Sequence, residues 1–146
     1  MDNHLVEILM AEDSPTDAMM TAEAIKSSKL LNNLYTVTNG EEALSFLRRE
    51  GRYAGMPVPD LILLDLNMPR KSGLEVLAEI KEHPQWKCIP VVILTASKAE
   101  RDVTSAYGHH ANCYVVKPVD FNQFVEVVHR IENFWFGVVK LPPKAS

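Results

Sequence analysis

The residues with the types and spacing to do chemistry in this chain are mostly acidic, and each follows a short apolar run. Glu12-Asp13 follows Val6–Ala11, and Asp65 follows the unbroken run Leu61-Ile62-Leu63-Leu64. Two more polar residues stand in the same kind of place: Thr95 after Val91-Val92-Ile93-Leu94, and Lys117 after Cys113-Tyr114-Val115-Val116. Three carboxylates brought together repel one another unless a cation neutralises them. An all-oxygen set suits a hard divalent ion, Mg²⁺ or alternatively Mn²⁺, held by a couple of carboxylates, a carbonyl and waters. No Cys/His cluster points to zinc. Beside such an ion Asp65 has two possible roles, ligand only or nucleophile, since a carboxylate that attacks phosphorus forms an acyl phosphate. Phosphoryl transfer needs charge neutralisation and positioning above all. Lys117 offers a mobile point charge to one phosphoryl oxygen; the Thr95 hydroxyl and a backbone N–H near Ala96 are placed to hold another.

These residues reach one another only if the elements before them are strands of one sheet. Short apolar runs without alternation suit strands buried on both faces, as in a parallel sheet. The pattern predicts strands at 6–11, 34–38, 61–64, 91–94 and 113–116. Helices are expected between and after them: about 15–28, with Ala18, Met19, Ala22 and Ile25 at helical spacing; 41–49, with Ala43, Leu44 and Leu47 inward; 73–82, with Leu74, Leu77 and Ile80 on one face; a polar 98–107; and 121–134. Ser14-Pro15 reads as an N-cap with proline at the first helical position. Residues 51–60 read as a long loop, and Cys88 and Cys113 as packing residues. Strands alternating with helices indicate one three-layer α/β domain over 1–146. The carboxyl ends of its strands, where ligands bind in open α/β sheets, would then carry every residue named above.

Bulk properties exclude several classes. The net charge is −4 with no basic stripe, which argues against direct nucleic-acid binding. No apolar run approaches the ~20 residues of a membrane span, and the first residues lack a signal-peptide pattern. Two cysteines without metal spacing fit a reducing cytoplasm.

The set Glu12-Asp13, Asp65, Thr95-Ala96 and Lys117-Pro118 resembles the receiver domain of two-component response regulators. The resemblance covers residues of about 5–134 and implies a flavodoxin-like (βα)5 fold with five parallel strands in the order 2-1-3-4-5. It implies that Asp65 accepts a phosphoryl group from a phosphohistidine on a sensor histidine kinase, and that the protein catalyses only its own phosphorylation and slow dephosphorylation. Asp13, Asp65 and the Asn67 carbonyl would bind Mg²⁺, Glu12 would act through a metal-bound water, and Lys117 would contact the phosphoryl group. Thr95 and Tyr114 resemble the family's switch pair, which repacks one face of the fold when phosphorylated. The 51–60 loop, Ile93-Leu94-Thr95-Ala96-Ser97 and the aromatic end Phe134-Trp135-Phe136 are similar to stand-alone regulators of bacterial, especially cyanobacterial, phytochrome kinases. That likeness implies a red-light sensor kinase as partner and a homodimer built partly through Phe134, Trp135 and Phe136 and the extension 135–146.

Other functions compete for the same residues. A phosphatase of the haloacid-dehalogenase type also uses an Asp after an apolar strand with Mg²⁺. It generally carries a second acid two residues later, where this chain has Asn67, and it needs a cap for which little length is spare. An inactive receiver-like scaffold is disfavoured by the intact site set. Nucleotide binding lacks a Gly-rich phosphate loop after the first strand.

Overall fold

The computed structural model describes residues 5–27, 31–95, 108, 113–117 and 122. In order they form β1 (Val6–Ala11), α1 (Pro15–Ser27), β2 (Asn32–Val37), α2 (Gly40–Arg48), a 3₁₀ turn (Gly51–Tyr53), β3 (Leu61–Leu64), α3 (Gly73–Glu82), β4 (Val91–Thr95) and β5 (Cys113–Val116). The five strands make one parallel sheet in the order β2-β1-β3-β4-β5. The expected helices at 98–107 and 121–134, Ala96, Pro118, the Thr95 side chain and the aromatic end Phe134-Trp135-Phe136 lie outside the described residues.

The register explains why the strand sequences do not alternate. Leu9, Ala11, Ile62, Leu64, Val91 and Ile93 join α2 and α3 in a core on one face of the sheet. Their neighbours Ile8, Met10, Leu61, Leu63, Val92 and Leu94 join Ala24 and Ile25 of α1 in a second core on the other face. Along Ile8–Ala11, Leu61–Leu64 and Val91–Leu94 each residue is therefore apolar whichever way it points. Leu9, Ile62 and Leu64 are no more than 1% exposed, so truncating any of them to alanine would cost about 2–5 kcal/mol.

Helix starts follow the capping chemistry. Ser14 Oγ accepts from the Asp17 N–H at 3.2 Å and its carbonyl from Ala18 at 2.9 Å, with Pro15 opening α1. Asn39 caps α2 by accepting from the Glu42 N–H at 2.9 Å. Ser72 and Glu75 form a reciprocal capping box on α3.

Three expectations need correction. Met19 is 62% exposed, because the buried stripe of α1 runs through Thr21, Ala24 and Ile25, one step around the helix. On α3, Val76 is fully buried where Leu74 was expected and Leu74 only partly covered. Cys88 is exposed; Trp86, 7% exposed and stacked on His83 with ring centres 3.7 Å apart, fills that connection instead. The 51–60 segment is the expected loop, opened by the 3₁₀ turn Gly51–Tyr53. Tyr53 packs on Phe46, which packs on Tyr35, at ring separations of 5.3 and 5.4 Å. Tyr53 Oη and Arg52 both donate to Glu42, at 2.5 and 2.6 Å.

Candidate functional site

Glu12, Asp13, Asp65 and Lys117 gather at the carboxyl edge of the sheet, whereas Tyr114 lies within β5. β1 ends at Ala11, whose carbonyl accepts from the Asp65 N–H at 3.0 Å, so Asp65 is held one residue beyond β3 and beside Glu12-Asp13. Glu12 is 3% and Asp65 4% exposed, whereas Asp13 faces solvent. One oxygen from each of these three carboxylates lies within 4.8 Å of the others. Gly73 supports the arrangement from behind. Its position is so close that a Cβ would fall 2.2 Å from the Asp65 carbonyl oxygen and 2.6 Å from Leu66 Cα. Its N–H also donates to the Leu66 carbonyl at 2.9 Å, which docks the start of α3 onto the Asp65 loop.

The cation at this edge is Lys117, directly after β5. Its side chain is 9% exposed, and Nζ lies 2.5 Å from Glu12 Oε1, 3.0 Å from Asp17 Oδ2 and 3.3 Å from Asp65 Oδ2. Burial alone would lower the Lys117 ammonium. The hydrogen bonds to Glu12 and Asp17 and the charge of Asp65 outweigh it and raise its pKa, so it stays protonated. Glu12 behaves oppositely: burial pushes its carboxyl up to about 7, and neighbouring Asp65 adds to the rise against the pull of Lys117. The pocket thus holds more negative charge than one ammonium settles, and its donors are all oxygen. That donor set fits a hard divalent ion.

The Asn67 N–H donates to Asp65 Oδ1 at 3.2 Å, which fixes the second carboxylate oxygen, and the Asn67 side chain is exposed. Thr95 ends β4 opposite Val116, and Tyr114 pairs with Ile93 in the same ladder. Tyr114 is partly buried and packs against the α2–α3 core. Arg70 and Lys71 lie in the loop between Asp65 and α3. Arg70 has φ 69°, and the Lys71 N–H donates to the Pro69 carbonyl at 2.7 Å, a γ-turn of the strained, positive-φ kind. Lys71 forms an ion pair with Glu79 on α3.

Asp17 is the site residue that the strand-end argument missed. It lies one helical turn beyond the acidic pair, in the first turn of a helix opened by Ser14-Pro15. A third acid on that turn faces the same edge as the strand ends, and its spacing was the available signal.

The response regulator receiver domain model matches residues 8–129. The chain belongs to that family. It is 45% identical over 135 residues to the response regulator Rcp1 of Synechocystis sp., an alignment covering 92% of each chain. Among solved structures, it superposes on the Mn²⁺-bound form of Rcp1 with a TM-score of 0.79 and 44% identity, over 94% of this chain and 99% of that one. It superposes on the phosphorylated cyanobacterial phytochrome response regulator RcpA with a TM-score of 0.81 and 44% identity, over 96% and 100%. The receiver fold and the strand order read from the sequence therefore hold. Among the described residues no helix is long and apolar enough to cross a membrane.

Proposed function

We propose that Asp65 of this response regulator is the phosphoacceptor for a sensor histidine kinase, with a phytochrome as the sensor. The observation that carries the proposal is the Lys117 ammonium 3.3 Å from a buried Asp65 oxygen, in a pocket whose carboxylates suit a divalent cation. An Asp65 carboxylate oxygen attacks phosphorus, the phosphorus–nitrogen bond to the kinase histidine breaks, and the electron pair leaves on the imidazole nitrogen. Lys117 holds charge on a phosphoryl oxygen, while the Asn67 N–H keeps the other Asp65 oxygen fixed. Asp13, Asp65 and the Asn67 carbonyl are assigned to hold Mg²⁺ or Mn²⁺ directly, and Glu12 through water. When bound, the ion supplies charge neutralisation for the phosphoryl group. The Mn²⁺-bound Rcp1 structure supports this assignment by similarity. The phytochrome partner is supported by the likeness to RcpA.

Thr95, with the backbone at Ala96, is assigned the third phosphoryl oxygen, and Tyr114 the answering movement. Support for the switch lies in the parallel β4–β5 ladder that carries both residues and in the part-buried setting of Tyr114. Self-association through Phe134, Trp135 and Phe136 is part of the same proposal, supported by the enrichment of Trp and Phe in interface cores. The protein works in the cytoplasm and turns over only its own aspartyl phosphate.

The deciding experiment is incubation with a small-molecule phosphodonor and Mg²⁺. One base-labile phosphoryl group is expected, lost in Asp65→Asn; equal labelling of Asp65→Asn would overturn the assignment. For assembly, Trp135→Ala with Phe136→Ala is expected to lower the mass seen by light scattering from dimer toward monomer, and an unchanged mass removes the tail from the interface.

A further inference from the structure

Lys117 has one partner that neither the carboxylate cluster nor the transfer step accounts for. Asp17 Oδ2 lies 3.0 Å from its Nζ, yet Asp17 is outside the Glu12, Asp13 and Asp65 group. Its side chain is 39% exposed, against 2% for Glu12 and 6% for Asp65. It is also well anchored, since its N–H bonds to the Ser14 cap in the first turn of α1. The ammonium therefore has two kinds of oxygen partner. Asp65 directly, and Glu12 through water, are also the residues assigned to a divalent cation, and two cations drawn to the same carboxylates repel. Asp17 is free of that competition.

We infer that Asp17 is a positioning residue that holds the Lys117 ammonium at the rim of the pocket, so that a divalent ion can take Glu12 and Asp65 without driving Lys117 away. This rests on the reading of Asp65 as phosphoacceptor. Without Asp17 the ammonium leans wholly on Glu12 and Asp65 and competes more strongly with the metal. Asp17 thereby sets how readily the pocket loads, and it keeps Lys117 within reach of the oxygens of an incoming phosphoryl group. A helix is a suitable mount for such an anchor because sites built on regular elements hold their geometry more precisely than sites on loops.

The test is a double-mutant cycle on Mg²⁺ affinity, measured by calorimetric titration of the full chain without any phosphodonor. Asp17→Asn is expected to weaken Mg²⁺ binding about three- to fivefold, the scale of a half-exposed ion pair. In a Lys117→Met background the same change is expected to shift affinity less than about twofold, because only a solvent-screened charge effect remains. Asp17→Glu, which keeps the carboxylate, is expected to stay near wild type. Equal shifts in both backgrounds would make Asp17 a distant charge only, and no shift in the wild-type background would remove its role altogether; either outcome overturns the inference. Because the cycle involves no phosphorylation, a failure of Asp65 labelling and a failure of this coupling are separate results.

Discussion

Two lysines stand at opposite ends of the same sheet and are treated in opposite ways. Lys117, at the carboxyl edge, is surrounded by Glu12, Asp17 and Asp65, and its pKa is raised. Lys81 closes the other edge, where its Nζ donates to the carbonyls of Ile89 at 2.6 Å and Lys87 at 3.2 Å. Burial there meets dipoles but few counter-charges, and the Lys81 pKa falls to about 8. Carbonyl partners make a clip that ties α3 to β4. Carboxylate partners make a permanent cation that a more highly charged group can redirect. The same side chain thus has its pKa lowered at one end of the sheet and raised at the other, and only its neighbours decide which.

Exchanging each lysine for methionine is the sharpest way to break this contrast. Lys117→Met is expected to slow Asp65 phosphorylation roughly 100-fold or more, the scale of removing one pre-organised charge from a transition state. Lys81→Met is expected to leave that rate within about twofold. Comparable losses in both would mean that the two edges are not functionally distinct. The helix that joins the edges gives a smaller effect. Gly73→Ala is expected to cost roughly 1–3 kcal/mol in denaturant unfolding, because the new methyl meets the Asp65 carbonyl and Leu66 Cα. It should also slow phosphorylation, by displacing the loop. An unchanged unfolding midpoint would show that the α3–loop contact yields.

The smallest effect is in pH dependence. Between about 8 and the ordinary lysine value of 10.5, the unfolded chain binds more protons at Lys81 than the folded one. Stability from this group therefore rises with pH through that window and is flat below it. Relative to Lys81→Met, wild type is expected to gain roughly 1–2 kcal/mol from about pH 7.5 to about pH 9.5. Parallel stability curves for the two proteins would mean that Lys81 is solvated in the folded state.

The sequence made much of this visible, for physical reasons that differ by region. A strand buried on both faces writes itself as an unbroken apolar run, and β1, β3 and β5 begin and end where their runs do. The acids that follow those runs were legible because a parallel sheet brings its carboxyl ends together. α1 was harder: Thr21 is 2% exposed and Met19 is not buried at all, so polarity misled where the helix is amphipathic only weakly. β2 begins at Asn32, ahead of its apolar residues, because an edge strand pairs through backbone and tolerates polar side chains. Asp17 was legible only through its spacing from Asp13, and its contact was not. Its partner is 100 residues away in sequence, and only closing the sheet makes the contact.

The close approaches of two glycines carry a mechanical consequence. Gly40, at the start of α2, leaves so little room that a Cβ would fall 2.3 Å from the Lys71 carbonyl oxygen, just as Gly73 crowds the Asp65 carbonyl. The segment from Asp65 to Gly73 is therefore wedged against two helix origins and braced by a γ-turn at Arg70. Asp65 has a stator on one side. The segment that carries its carboxylate therefore cannot yield toward α2 and α3 without displacing the starts of both helices.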